Sequence, residues 1–207
     1  MNLPKKDKHG KSYLSYSQIS LFLKSPKEYY ETVILDKPFE GNEYTEFGSK
    51  VGTALETNNF EGFSEIEASV LKKVPRLDLF ERAIFLNYDD FYVVGYIDSI
   101  SSDFKTLLDY KTGGKKKELQ YSKDDYNQLS YYALGIEQET GITPEKASVE
   151  FIRRGGNLYR NQSLIVADEF PISIPVDISR DRLDKVYNDT KEIAKEIELF
   201  YTKCFTN

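Results

Sequence analysis

The stretch from Phe91 to Thr112 constrains the fold more than any other part of the chain. It reads as two arms, Tyr92-Val93-Val94-Gly95-Tyr96-Ile97-Asp98-Ser99-Ile100 and Phe104-Lys105-Thr106-Leu107-Leu108-Asp109-Tyr110-Lys111, joined by the turn-prone Ser101-Ser102-Asp103. A hairpin centred near Asp103 and Phe104 sets positions 98 and 109 opposite or diagonal to one another, with side chains roughly 5–8 Å apart. Side chains at i and i+2 share a strand face, so Lys111 projects beside Asp109 while Tyr110 turns to the other side. Two carboxylates held this close repel unless a cation neutralises them, and hard oxygen donors with room left for water suit Mg2+ or Mn2+. Lys111 is placed to orient a nucleophile or to offset charge on a phosphate.

The segments around the hairpin predict its scaffold. Ser15-x-x-Gln18 and Ser25-Pro26-Lys27-Glu28 are helix-start signals, the second with proline at the first helical position. Phe47, Val51, Ala54 and Leu55 recur at helical spacing between Thr45 and about Glu56, and Ser64-x-x-Glu67 caps another helix. Leu79 to Tyr88, Phe91 to Ile100 and Thr106 to Thr112 predict a three-stranded antiparallel meander ended by Gly113-Gly114. Ser122 then starts a helix through about Glu139, and Lys146 to Arg153 returns as a strand. Leu158 to Ala167 and Phe170 to Ile174 read as two more strands before a long helix from Ser179. This order predicts an α+β (α/β) fold: an αβββαβ core with a central mixed sheet, extra N-terminal helices and a long C-terminal helix.

A chain of 207 residues predicts one domain over 1–207, burying about 70% of the unfolded surface, with a flexible polar leader over 1–12. No apolar run approaches the roughly 20 residues of a membrane span, and the polar N-terminus carries no signal-peptide core, so no membrane partner and a cytoplasmic location are expected. The single cysteine, Cys204, agrees with a reducing compartment and leaves nothing to pair with in a monomer. A net charge of −6 opposes general attraction to phosphates, yet Lys111 and Lys115–Lys117 follow the hairpin directly and Arg153, Arg154 and Arg160 cluster around Gly155-Gly156. An acidic protein with a locally basic cleft is compatible with DNA.

Gly95-Tyr96-Ile97-Asp98, Asp109-Tyr110-Lys111-Thr112-Gly113 and Gln128-x-x-x-Tyr132, in this order and at this compact spacing, resemble the motifs of the RecB-like branch of the PD-(D/E)XK nuclease superfamily. Ser15 to Ile19 and Lys24 to Tyr30 look like the opening of that branch, so the resemblance spans roughly positions 13 to 135. It implies a restriction-endonuclease-like core and a metal-dependent DNA nuclease, with Asp98, Asp109 and Lys111 as catalytic residues. Mg2+ or Mn2+ would be held by Asp98, Asp109 and the Tyr110 carbonyl, while Gln128 and Tyr132 would position the DNA. Acting as an exonuclease on single strands or duplex ends, such an enzyme works in recombination, repair or phage DNA metabolism, beside a helicase, annealing protein or other recombination factor.

Two departures mark this chain. Gly52 stands where the branch places a metal-binding histidine, and the only histidine, His9, lies in the polar leader, where it reads as a solvated residue. Glu56, one helical turn beyond Gly52, is the candidate to supply a carboxylate instead. Glu81, at the start of the first core strand, ranks after it. Ser25 stands where relatives carry the first of four cluster cysteines, so no iron–sulfur cluster forms within one chain. The alternative is a nuclease-like fold that lost catalysis with its histidine and serves as a DNA-binding or structural subunit. A third reading keeps catalysis but takes RNA or a duplex site as target.

Overall fold

The computed structural model describes residues 1–38, 41–121, 126–160, 165 and 170–205. Its centre is a mixed sheet of seven strands among the described residues, covered by helices on both faces. The α+β order read from the sequence is present as α3 (Glu43–Thr57), β3 (Leu79–Asn87), β4 (Phe91–Ile100), β5 (Thr106–Gly113), α6 (Gln128–Thr140) and β6 (Lys146–Arg153). Ahead of α3 lie β1 (Lys5–Lys6), β2 (Ser12–Ser15), α1 (Tyr16–Lys24) and α2 (Pro26–Tyr29). Two short helices interrupt the core, α4 (Glu65–Leu71) and α5 (Lys115–Tyr121), and β7 (Ile172–Pro175) and α7 (Arg180–Lys203) follow it. No helix among the described residues is long and apolar enough to cross a membrane.

Local chemistry sets the helix starts. Ser15 and Ser64 form reciprocal capping boxes with Gln18 and Glu67, and Ser25 caps α2 with Pro26 in the first turn. The hairpin turns where expected: Ser101 and Thr106 close it, and Phe104 takes the left-handed conformation at φ 60°.

Sheet topology creates an opening. One edge of β4 serves two partners in turn, β2 in parallel over Phe91–Val94 and β5 in antiparallel over Ser99–Ile100. Gly95 to Asp98 therefore carry no ladder on that edge, while β3 pairs along the other edge. Into this notch packs Tyr132 of α6: a Cβ on Gly95 would meet its ring at 2.5 Å, so only glycine admits the close approach.

Each face of the sheet has its own core. The larger one joins Leu107, Val149 and Phe151 to α6, α7 and the N-terminal segment; the smaller joins Ile152 to Phe47, Val51, Leu55, Val70 and Leu71 of α3 and α4. Residues such as Phe151, Leu55 and Leu71, with no exposed surface, each contribute about 1.5–3 kcal/mol by leaving water.

Three expectations are corrected. The leader 1–12 is tied to the fold, since its Lys5 and Lys6 pair with Tyr13 and Ser12 in the sheet and Leu3 is wholly buried; a short polar run around one apolar anchor hides this from composition. Helix α6 begins at Gln128 instead of Ser122, because Tyr126 first turns its ring inward; Ser122 itself lies outside the described residues. In place of a strand from Leu158 there is a short 3-10 turn, Leu158–Arg160, and a single bridge from Ile165 to Arg154; the intervening positions are outside the described residues.

Candidate active site

Register brings the hairpin acids together. Ser99 pairs with Leu108 and Ile100 with Leu107, a register that carried one step further would set Asp98 against Asp109. The ladder stops before that step, and the Asp98 carboxylate instead accepts the Tyr110 backbone N–H at 2.7 Å. Across the other edge Glu81 interrupts the β3–β4 ladder opposite Asp98, between the pairs Phe80–Ser99 and Arg82–Ile97. Glu81 sits at φ 47°, a conformation costly for a residue with a side chain. Ile97 and Ile100 both belong to the larger core, although residues three apart on a regular strand face opposite ways. The break in alternation falls at Asp98, and it turns that carboxylate toward a cleft of about 490 Å³ lined also by Gly48, Ser49, Tyr110, Lys111, Thr112, Lys117 and Arg154.

Asp109 has a different setting. It is wholly buried, with one carboxylate oxygen 2.7 Å and the other 2.6 Å from the Lys111 ammonium, and the Tyr126 hydroxyl donates to it at 2.9 Å. A hydroxyl has one proton, and the charged carboxylate takes it. The same hydroxyl also lies 2.7 Å from Gln128 Oε1, and the Gln128 Nε2 donates to the Tyr132 hydroxyl at 2.6 Å. One chain of polar contacts thus runs from Lys111 through Asp109, Tyr126 and Gln128 to Tyr132. The rings of Tyr16 and Tyr121 pack against Tyr126 at 6.0 and 5.1 Å and keep water from it.

Electrostatics follows from this burial. Desolvation, reinforced by the charge of Asp109, pushes the Asp98 carboxyl up to about 7. Burial alone would lower Lys111, but the charges of Asp109 and Asp98 outweigh it and hold the ammonium above its ordinary range. Burial and the Asp109 carboxylate raise the Tyr126 hydroxyl well above its usual value, so it stays a donor. Glu81 is also raised, by burial and then by the charge of Glu56.

The expected residues are therefore placed unequally. Asp98, Asp109, Tyr110 and Lys111 are brought together. Gln128 and Tyr132 reach them through Tyr126 and line a second cleft of about 620 Å³ with Ser15, Tyr16, Lys24 and Tyr96. Glu56 is exposed at the end of α3, where Arg76 binds the neighbouring carbonyls, and among the described residues no three acidic, histidine or cysteine side chains gather closely enough to hold a metal. A Cβ at Gly52 would meet nothing within 4 Å. His9 is exposed. Tyr126 is the residue that sequence reasoning missed; its place two positions before Gln128 was the available signal.

The donor set fits a hard divalent cation. Its side-chain members are carboxylate oxygens, Lys111 is bound to Asp109, and Asp98 resists ionisation in a poorly hydrated place for want of a counter-charge of its own, which a bound cation would supply.

No family model and no curated protein matches the chain. Among solved structures, a candidate exonuclease from Eubacterium rectale superposes with a TM-score of 0.61 at 13% identity, over 95% of this chain and 84% of that one. This chain shares its fold. A phage-related exonuclease from Haemophilus somnus 129PT gives 0.47 at 14% identity over 92% and 80%, and LHK-Exo in complex with dAMP gives 0.45 at 13% identity over 94% and 93%.

Proposed function

We propose that the chain is a Mg2+- or Mn2+-dependent deoxyribonuclease, an exonuclease acting on single-stranded DNA or duplex ends within a single nuclease-like domain. The observation that carries this reading is the convergence of Asp98, Asp109 and Lys111 at the break between β4 and β5, with Asp98 facing a cleft that also holds cations. The name of the Eubacterium rectale protein agrees with it.

Asp98, Asp109 and the Tyr110 carbonyl would hold the cation, and Glu81 and Glu56 add negative field behind Asp98. When bound, the ion supplies Lewis-acid activation of water and neutralises charge on phosphorus. Lys111, bound to Asp109 here, would orient the attacking water and donate to a phosphate oxygen. Tyr126, Gln128 and Tyr132 hold Asp109 in place. Water adds across the P–O bond, and the strand leaves as a 3′-hydroxyl and a 5′-phosphate. A setting in recombination, repair or phage DNA metabolism, beside a helicase or annealing protein, follows from the family resemblance.

The test is end-labelled single- and double-stranded DNA with and without Mn2+. Wild type should shorten labelled strands only with metal, and Asp109→Ala and Lys111→Ala should each abolish cleavage while keeping the wild-type circular dichroism spectrum. Strands bound in Ca2+ yet never cut in Mg2+ or Mn2+ would leave the structural-subunit reading in its place.

A further inference from the structure

Beyond the carboxylates, the Asp98 cleft is lined by cations that differ in how they are paired among the described residues. Two of the four cations at the ends of β5 and β6 are paired, Lys111 with Asp109 and Arg153 with Glu118. Lys117 and Arg154, which line the cleft, make no ion pair among the described residues. Among the described residues Arg154 Nε is buried without a hydrogen-bond partner, a costly state that an incoming acceptor would relieve. Its guanidinium lies over the Tyr44 ring at 4.3 Å, and Tyr44 packs edge-on against Tyr159, so the plane of the fork is set in advance.

Lys117 is brought to the same place by backbone geometry. The Arg154 N–H bonds the Gly113 carbonyl at 2.8 Å, and a Cβ on Gly113 would sit 2.9 Å from the Lys117 side chain and 3.1 Å from Phe151. The small glycine lets α5 fold back closely over the end of β5. Partial burial, then the charges of Arg154 and Lys111, hold Lys117 below its ordinary range. The opposite wall offers Asn42, Thr45 and Ser49, neutral groups that do not compete for the charge.

We propose that Lys117 and Arg154 form a clamp for an internal phosphodiester of the nucleic-acid strand, adjacent to the phosphate that lies at Asp98 and Lys111. This rests on the nuclease reading above. A planar fork plus a point charge suits a phosphate oxygen pair.

The experiment measures binding of short single strands, carrying either a 5′-phosphate or a 5′-hydroxyl, in Ca2+ over a range of KCl, for wild type, Lys117→Gln and Arg154→Gln. Each variant should bind roughly tenfold more weakly, with the slope of log affinity against log salt reduced by about 0.7, equally for both kinds of end. Lys117→Gln, on an exposed helical turn, keeps the test sound if Arg154→Gln loosens its stack on Tyr44. If wild type binds while both variants keep its slope, the clamp is wrong and the nuclease reading stands. Loss confined to 5′-phosphorylated strands would also overturn it, since the contact would then be to an end. If wild type binds no strand at all, both readings fall.

Discussion

Asp98 is under opposing demands that a pH titration can expose. Its ordinary value is 3.8 and burial beside Asp109 takes it to about 7 in the absence of a bound cation. Below about pH 4 folded and unfolded states both hold the proton, and the burial costs nothing. Between there and about pH 7 the unfolded chain ionises while the folded one keeps its proton, so stability falls as pH rises; above about 7 the loss is complete. With chelator present, Asp98→Asn should therefore be more stable than wild type at about pH 8, by something on the order of 2 kcal/mol after allowance for partial solvation, and no more stable near pH 4. Equal differences in thermal midpoint at the two pH values would refute this origin of the shift. Tyr126 gives a second test. Tyr126→Phe removes the donor to a buried carboxylate oxygen, costing about 1–3 kcal/mol, and should lower kcat about 10- to 100-fold while KM for DNA holds. A changed KM with kcat intact would instead make Tyr126 a contact to the strand.

At the scale of elements, the site exists because β4 gives one edge to two neighbours. β2 occupies Phe91–Val94 and β5 occupies Ser99–Ile100, and the residues between are free to meet α6 and the cleft. Gly95 is where α6 enters. Gly95→Ala drives a methyl group into the Tyr132 ring and should cost about 1–3 kcal/mol by denaturant unfolding. The loss should shrink when Tyr132 is replaced by leucine, because the two residues share one contact. Persistence of the full cost in that background would show that the strain lies in the backbone of β4.

For the whole molecule, the two cores are separate clusters joined by one sheet, so each layer is stable only while the sheet persists. Thermal unfolding followed at several wavelengths should show one transition, and Leu71→Ala in the smaller core and Leu183→Ala in the larger should shift that same transition, each by about 2–5 kcal/mol. A second transition moved by Leu71→Ala alone would mean that α3 and α4 form an independent layer.

Much of this architecture was already legible along the chain. Helix starts at Ser15, Ser25 and Ser64, the hairpin turn at Phe104 and the grouping of Asp98, Asp109 and Lys111 depend on interactions spanning a few residues or one turn, which local order specifies. Long-range choices were not legible. That Ser12–Ser15 would lie parallel to β4, that Tyr126 among 16 tyrosines would hold Asp109, that Glu81 would be forced to φ 47°, and that Arg154 and Lys117 would line one cleft are settled only when distant segments compete for the same edge or cavity. Periodicity tells each segment which face to bury; the free energy of burying all of them together decides which edges pair, and so which charges are left facing the cleft.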